Sequence, residues 1–143
     1  MSFAPTTKAQ LQTAVDAWTL NATTAAVTYG DINTWNVSAI TDMSNLFTQK
    51  ATFNSNISGW NVSNVTTMEN MFRGARVFNI DISGWNVSNV TNMTTLFMNA
   101  SVFNKPLDSW NVSKVTAMNN TFENATAFNQ PLNSWNVSNV TTM

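Results

Sequence analysis

The sequence contains no cysteine and no histidine, and it has only four glycines and three prolines in 143 residues. Without thiols or imidazoles, the chain lacks the ligands of a typical zinc or soft-metal site and the usual bases that activate a nucleophile. It also lacks a glycine-rich phosphate loop and a calcium-type cluster of aspartates. The acidic residues are scattered, so no two carboxylates are predicted to share a cleft. We therefore predict a protein that is not an enzyme and holds no cofactor or metal.

Charged residues are also scarce, at 9% of the chain, with six Lys or Arg, seven Asp or Glu and a net charge of −1. Such a charge balance gives little electrostatic attraction for a polyanion, so nucleic acid is not a predicted partner. No apolar run is long enough for a membrane span, and the first ten residues lack the basic and apolar regions of a signal peptide. The absence of cysteine leaves the redox compartment open.

What the chain does contain is a repeat. The stretch WNVSNVTTMENMF, which begins at Trp60, has close copies at a constant spacing of 25 residues, beginning at Trp35, Trp85, Trp110 and Trp135. A fixed period of this length is typical of a solenoid, in which a unit that cannot bury its apolar face alone stacks on its neighbours. Residues 32–143 are therefore predicted to form about four and a half repeats, the last one incomplete.

Each repeat shows two hydrophobic periods. From Ile57 to Val65, apolar and polar residues alternate, which predicts a short strand with Trp60 directed inward. From Val65 to Ala75 the apolar residues follow a helical stripe, which predicts a short helix with Thr66 as N-cap, Glu69 completing a capping box and Gly74 at a left-handed end position. The predicted fold class is therefore an α/β repeat solenoid of strand, turn, helix and loop.

Residues 1–31 lie outside the repeat register and are predicted to form an N-terminal helical cap. Apolar residues at helical spacing, together with the capping-box spacing from Thr7 to Gln10, predict a helix over residues 6–19. The segment from Asn21 to Gly30 is small and polar, and it is predicted to be the turn that leads into the first repeat.

The order of apolar residues after Ile57 resembles the BspA-type leucine-rich repeat of bacterial and protist surface proteins. The motif WNVSNVTxM, followed by Phe and later by Phe-Asn, is similar to the 25-residue branch of that family, which occurs in mycoplasma-type lipoproteins and other surface proteins of largely unknown function. This resemblance implies right-handed coils with a parallel strand in each, and an extracellular or cell-surface location. Two positions depart from the pattern: Lys50 replaces an alanine, and Thr121 replaces a leucine or methionine.

Most repeated residues are predicted to be structural. The Trp and Met columns are expected to fill the core, and the Asn after each Phe is expected to form a ladder of amides between neighbouring repeats. Strand alternation turns a different set outward, where it would cover the sheet with uncharged hydrogen-bonding groups. These outward residues are the candidate binding face, unless they only solvate the sheet: Asn36, Ser38, Asn61, Ser63, Asn86, Ser88, Asn111, Ser113, Asn136 and Ser138.

The function predicted from these patterns is a non-catalytic cell-surface recognition or adhesion module that binds a protein or a glycan. One alternative is a structural segment of a surface layer or filament, and a remote one is ice binding by the threonine column that includes Thr66. The last repeat presents apolar residues without a cap, which predicts self-association as a closed two-fold dimer. The candidate residues for this contact are Leu132, Trp135, Val137, Val140 and Met143.

Overall fold

Two helices form the N-terminal part of the chain in the computed structural model, which describes residues 2–143. Helix α1 spans Lys8–Leu20, and the Thr7 hydroxyl caps it by accepting a hydrogen bond from the Gln10 N–H at 3.2 Å. The helix predicted over residues 6–19 is thus confirmed. The prediction of a turn after it is wrong, because helix α2 spans Ala22–Tyr29. The sequence feature that indicates this second helix is Asn21, whose side chain caps α2 by accepting a hydrogen bond from the Thr24 N–H.

Helix α1 packs against the first repeat. Its buried residues Leu11, Ala14 and Val15 belong to the same apolar core as the repeats. Two ion pairs join its polar side to that repeat, Lys8 with Asp42 at 3.4 Å and Lys50 with Asp16 at 2.8 Å. The second pair accounts for Lys50 at an alanine position, because only the first repeat faces this helix.

The predicted α/β repeat solenoid is wrong. After the 3₁₀ helix Ile32–Thr34, the described chain to residue 143 contains no α-helix and no β-sheet. The repeats are joined instead by isolated parallel bridges, so the parallel sheet that a leucine-rich repeat would need is not found. Each bridge links one repeat to the next at an equivalent position: Asp42 to Thr67, Thr67 to Asn92, Asn92 to Ala117 and Ala117 to Thr142.

The predicted helix is replaced by a ladder of turns, which we call the ladder half of the repeat (residues 66–75 in the second repeat). Asn70 and Gly74 have φ of 58° and 71°, in the left-handed region that interrupts a helix. The N–H groups then alternate: one closes a turn in its own repeat, and the next donates to the following repeat. The donors to the following repeat, at 2.8–3.0 Å, are Met68, Asn70, Phe72 and Gly74.

The predicted strand is replaced by local turns, in what we call the side-chain half (residues 57–65 in the second repeat). Trp60 N–H donates to Ile57 C=O, and Val65 N–H donates to Val62 C=O. The Ser63 N–H donates to the Asn61 side chain. These N–H groups are therefore not available for a sheet, although the residues still alternate between core and solvent as predicted.

Aromatic rings fill the core in continuous columns. Phe47, Phe72, Phe97 and Phe122 lie 5.4–5.7 Å apart between ring centres, and a second column follows Phe53. Four of the repeated tryptophans, at positions 35, 60, 85 and 110, are buried as predicted, and Trp135 is half-buried. Only Trp35 and Trp60 stack on each other, and the later indoles pack against phenylalanine. Every repeat after the first bonds its indole N–H to a carbonyl of the preceding repeat, as Trp85 does to Ile57 at 3.1 Å.

Candidate functional site

The predicted binding face is a set of side chains repeated once per repeat on the outside of the side-chain half. Its five asparagines are all exposed, while the serines are half-buried except for Ser138, which is exposed. The intervening valines are buried up to Val112, and Val137 in the last repeat is exposed. The structure therefore brings the ten predicted residues into two parallel rows on one surface.

The asparagine row is held in a fixed orientation by the backbone. Each Asn Oδ1 accepts a hydrogen bond from the N–H of the serine two residues later, at 3.0–3.1 Å in all five copies. This Asx turn uses the oxygen of the amide and leaves its nitrogen free. The Nδ2 groups of these asparagines make no hydrogen bond within residues 2–143. The face therefore presents one oriented amide donor pair per repeat.

Two other asparagine sets hold the repeats together. Asn64, Asn89 and Asn139 donate from Nδ2 to a serine carbonyl of the preceding repeat at 2.7–2.8 Å. Three asparagines of the Phe-Asn column behave as predicted, because the Oδ1 of Asn54, Asn79 and Asn104 each accepts from the equivalent N–H of the next repeat, at 2.8–3.0 Å. Sequence reasoning missed the structural role of the first set, although its 25-residue spacing is visible.

The exposed threonine column runs beside these rows. These residues were predicted to be helix N-caps. Instead, each hydroxyl donates to the backbone carbonyl of the equivalent threonine in the preceding repeat, at 3.2–3.3 Å, as found for Thr66, Thr91, Thr116 and Thr141. The donor capacity of each hydroxyl is thus used inside the stack. Only its oxygen lone pairs and its methyl group face the solvent.

Two carboxylates have shifted pKa values. Burial raises the pKa of Asp42, but hydrogen bonds from the Ser44 hydroxyl and N–H, with the nearby Lys8 charge, outweigh burial and place it below the ordinary 3.8. The pKa of Asp81 is also lowered, chiefly by hydrogen bonds from the Ser83 side chain and backbone. Both groups are bonded inside their own turns, and neither faces a second carboxylate.

The C-terminal end of the stack carries the predicted self-association residues. Trp135, Leu132 and Val140 are half-buried, while Val137 and Met143 are 40% and 77% exposed. An open cavity of ≈ 430 Å³ lies here, with Met118, Thr121 and Phe122 among its lining residues. Thr121, the second departure from the repeat pattern, is buried and donates to the Met93 and Met118 carbonyls. The cavity wall is therefore mostly apolar.

Within residues 2–143, no three Asp, Glu, His or Cys side chains lie close enough together to hold a metal ion. None of the helices in the described part of the chain has the length and apolar character that a membrane crossing requires.

Comparison with known proteins gives a family and no function. The family described as "Mycoplasma protein of unknown function, DUF285" matches residues 13–126 and, in a second overlapping match, residues 84–143. No curated protein and no solved structure matches the chain.

Proposed function

This chain belongs to the Mycoplasma family of unknown function DUF285, and we propose that it is a non-catalytic surface repeat module that binds a protein or a glycan. The proposed contact is the exposed asparagine row, with its neighbouring serines. Its ligand would present hydrogen-bond acceptors, such as sugar hydroxyl oxygens or peptide carbonyls, at a regular spacing. Location at the cell surface is part of the proposal, as is the kinship to BspA-type surface repeats.

The observation that carries this proposal is the free Nδ2 group on each Asx turn. Because Oδ1 is bonded to the backbone, the amide of Asn61, Asn86 or Asn111 is already oriented before a ligand arrives. Binding would therefore cost little side-chain entropy. Because such a group recurs once in every repeat along the stack, a polymeric ligand could contact several of them at once.

The test is a triple substitution, Asn61→Asp, Asn86→Asp and Asn111→Asp. Aspartate keeps the oxygen that closes each Asx turn but replaces the amide donor by a carboxylate oxygen. We expect capture of glycans on an array, or of surface proteins, to fall at least about tenfold, since a charged group replaces a bonding partner. Thermal stability should change little.

A charge-matched control places three aspartates on the exposed side of α2, as Thr23→Asp, Thr24→Asp and Thr28→Asp. Equal loss of binding in both triple variants would mean that net charge, and not the asparagine row, governs capture. Retained binding in the asparagine variant would reject the proposed face.

Three alternatives remain predictions. A structural segment of a surface layer would assemble with increasing concentration, and a monomer at all concentrations would exclude it. Self-association through residues 132–143 would appear as a dimer in light scattering. Ice binding through the threonine column is the most remote, because those hydroxyls already donate to the backbone; a thermal hysteresis assay tests it directly.

A further inference from the structure

A polar pocket lies where the chain leaves the ladder half of its repeats. The pocket has a volume of ≈ 350 Å³, and its lining residues are Arg76, Asn99, Ser101 and Asn124. They come from the second, third and fourth repeats, and no residue of the asparagine row is among them. The pocket is therefore a second surface, separate from the binding face proposed above.

The Asn99 side chain in this pocket has an unused donor, because the equivalent residue of the preceding repeat is a glycine. Gly74, Asn99 and Asn124 occupy equivalent left-handed positions, with φ of 71°, 60° and 56°. The Asn124 Nδ2 donates to the Asn99 Oδ1 at 3.0 Å. By the same pattern, the Asn99 Nδ2 would donate to a side-chain oxygen at position 74, and glycine has none. Within residues 2–143, the Asn99 Nδ2 makes no hydrogen bond.

The positive charge of Arg76 is not neutralised by a neighbouring carboxylate. The two ion pairs among residues 2–143 use Lys8 and Lys50, so the Arg76 guanidinium has no acidic partner. The other arginine of the chain, Arg73, has no ion pair either, and its buried Nε has no hydrogen-bond acceptor. Two unpaired guanidinium groups in one repeat favour an anionic ligand. A carboxylate suits them best, because a guanidinium can donate to both of its oxygens.

We propose that this pocket binds an acidic sugar of a glycan, with the sugar carboxylate between the Arg76 guanidinium and the Asn99 amide. One carboxylate oxygen takes the place of the side-chain oxygen that position 74 lacks. The Ser101 hydroxyl donates to the Arg76 carbonyl at 3.3 Å, which leaves its oxygen free to accept from a ring hydroxyl. A sugar acid presents hydroxyl groups beside its carboxylate, whereas an acidic side chain of a peptide carries none. The site needs no residue of the asparagine row, so either proposal can fail without the other.

The experiment titrates the complete ¹⁵N-labelled chain with a tetramer of galacturonic acid. Two probes are matched to it: the fully methyl-esterified tetramer keeps the ring hydroxyls without the charge, and tetraglutamate keeps the carboxylates without the ring. We expect the NMR signals of the Asn99 side-chain amide and the Arg76 guanidinium to shift with the acidic tetramer, and much less with either matched probe. Equal shifts with the ester would show that the charge is not recognised. Equal or larger shifts with tetraglutamate would identify an acidic peptide as the ligand, and either outcome would overturn the proposal.

Substitutions at Arg76 test the cation, with affinity measured by calorimetry. We expect Arg76→Gln to bind the acidic tetramer at least about tenfold more weakly, because charged hydrogen bonds are lost. Arg76→Lys keeps the charge but not the planar pair of donors, so its affinity should be intermediate. Lys114→Gln removes one positive charge from another exposed position and should bind like the unaltered chain. Equal losses in Arg76→Gln and Lys114→Gln would mean that net charge governs binding, which would reject the site.

A substitution at Gly74 tests the unused donor. Gly74→Asn supplies the missing oxygen in a backbone conformation that Asn99 and Asn124 already adopt. A Cβ there would lie 2.6 Å from the end of the Gln49 side chain, which is flexible and can move away. We expect the acidic tetramer to bind Gly74→Asn at least about tenfold more weakly at unchanged or higher thermal stability, because the Asn99 donor is now used. Gln49→Ala alone should leave binding unchanged. Full affinity in Gly74→Asn would overturn the role given to Asn99.

Discussion

The two halves of each repeat are joined to their neighbours by different means. In the ladder half, backbone N–H groups donate directly to backbone carbonyls of the next repeat. In the side-chain half, the backbone N–H groups close turns within their own repeat. The bonds to the preceding repeat come instead from side chains, namely the indole N–H of Trp60 and the side-chain amide of Asn64, and from their equivalents in other repeats. One half thus depends on backbone conformation and the other on the identity of particular side chains.

The sequence of the repeats reflects this difference. Trp-Asn-Val-Ser is identical in all five copies, whereas the ladder half between its Met and Phe reads SNL, ENM, TTL and NNT. The left-handed position in these stretches accepts Asn or Thr, as at Asn70 and Thr95. A backbone ladder tolerates such exchanges because its hydrogen bonds do not involve the side chains. The indole bond tolerates none, because no other residue offers the same donor at the same depth.

The largest loss of folding stability should come from removing an indole in the side-chain half. Trp85 is 4% exposed, packs against Phe72 and donates to the Ile57 carbonyl. We expect Trp85→Ala to lower the free energy of unfolding by about 3–5 kcal/mol, from lost apolar burial and the cavity left behind. Urea denaturation measures this directly.

Two matched variants sharpen that result. Trp85→Phe keeps most of the ring but leaves a buried carbonyl without its donor, so about 1–3 kcal/mol should be lost. Trp135→Ala, at a half-buried position, should cost clearly less than Trp85→Ala. Equal losses at both tryptophans would contradict the burial order of the stack.

The ladder half should respond to backbone strain instead. Gly74 has a φ of 71°, and a Cβ placed there would lie 2.6 Å from the Gln49 side-chain oxygen. We expect Gly74→Ala to cost about 1–2 kcal/mol in chemical denaturation, because alanine is strained in the left-handed region. The same substitution in a Gln49→Ala background should cost nearly as much, since the end of a glutamine can move away. If Gln49→Ala relieves most of the loss, crowding and not φ governs this position.

The sequence predicted the repeat, the helix over residues 6–19 and the inward Trp, Val and Phe columns, because these depend on spacing and burial. It also predicted a left-handed residue at Gly74, which is what the structure shows. The prediction of a helix was wrong because a second left-handed residue, Asn70, lies between Met68 and Met71 of the apolar stripe and interrupts it. Asparagine occurs in both conformations, so its identity alone does not distinguish them.

The candidate face was predicted in position but not in chemistry. Alternation placed Asn61 and Ser63 outside, yet it could not indicate that the Asn oxygen is bonded to the backbone. A strand and a series of turns both direct alternate residues to the core here, so the period alone did not exclude a sheet.

A smaller loss of stability is expected when an Asx turn is altered. Asn61→Ala removes the acceptor of the Ser63 N–H, so we expect a loss of about 0.5–1.5 kcal/mol, measured by thermal unfolding. Asn61→Asp keeps that acceptor and should be nearly neutral, as should Ser63→Ala. A loss in Asn61→Asp as large as in Asn61→Ala would mean that the amide nitrogen, and not the oxygen, stabilises the turn.

The smallest effect on stability should be a pH dependence that is larger at Asp42, in the ladder half, than at Asp81, just before the side-chain half. The pKa of Asp42 lies below its ordinary 3.8 in the folded chain, so its ionised form stabilises the fold above that pH, and the contribution disappears as the pH falls through the folded pKa. The Asp42 side chain is 47% exposed, so solvent screening should keep this contribution below about 1 kcal/mol. Asp42→Asn should therefore be less stable than the unaltered chain at pH 7 and equal to it near pH 2. Asp81→Asn, one residue before the side-chain half of the third repeat and without an ion pair, should show a smaller gap in the same melts. A gap at Asp42 that persists unchanged near pH 2 would show that its charge is not the cause.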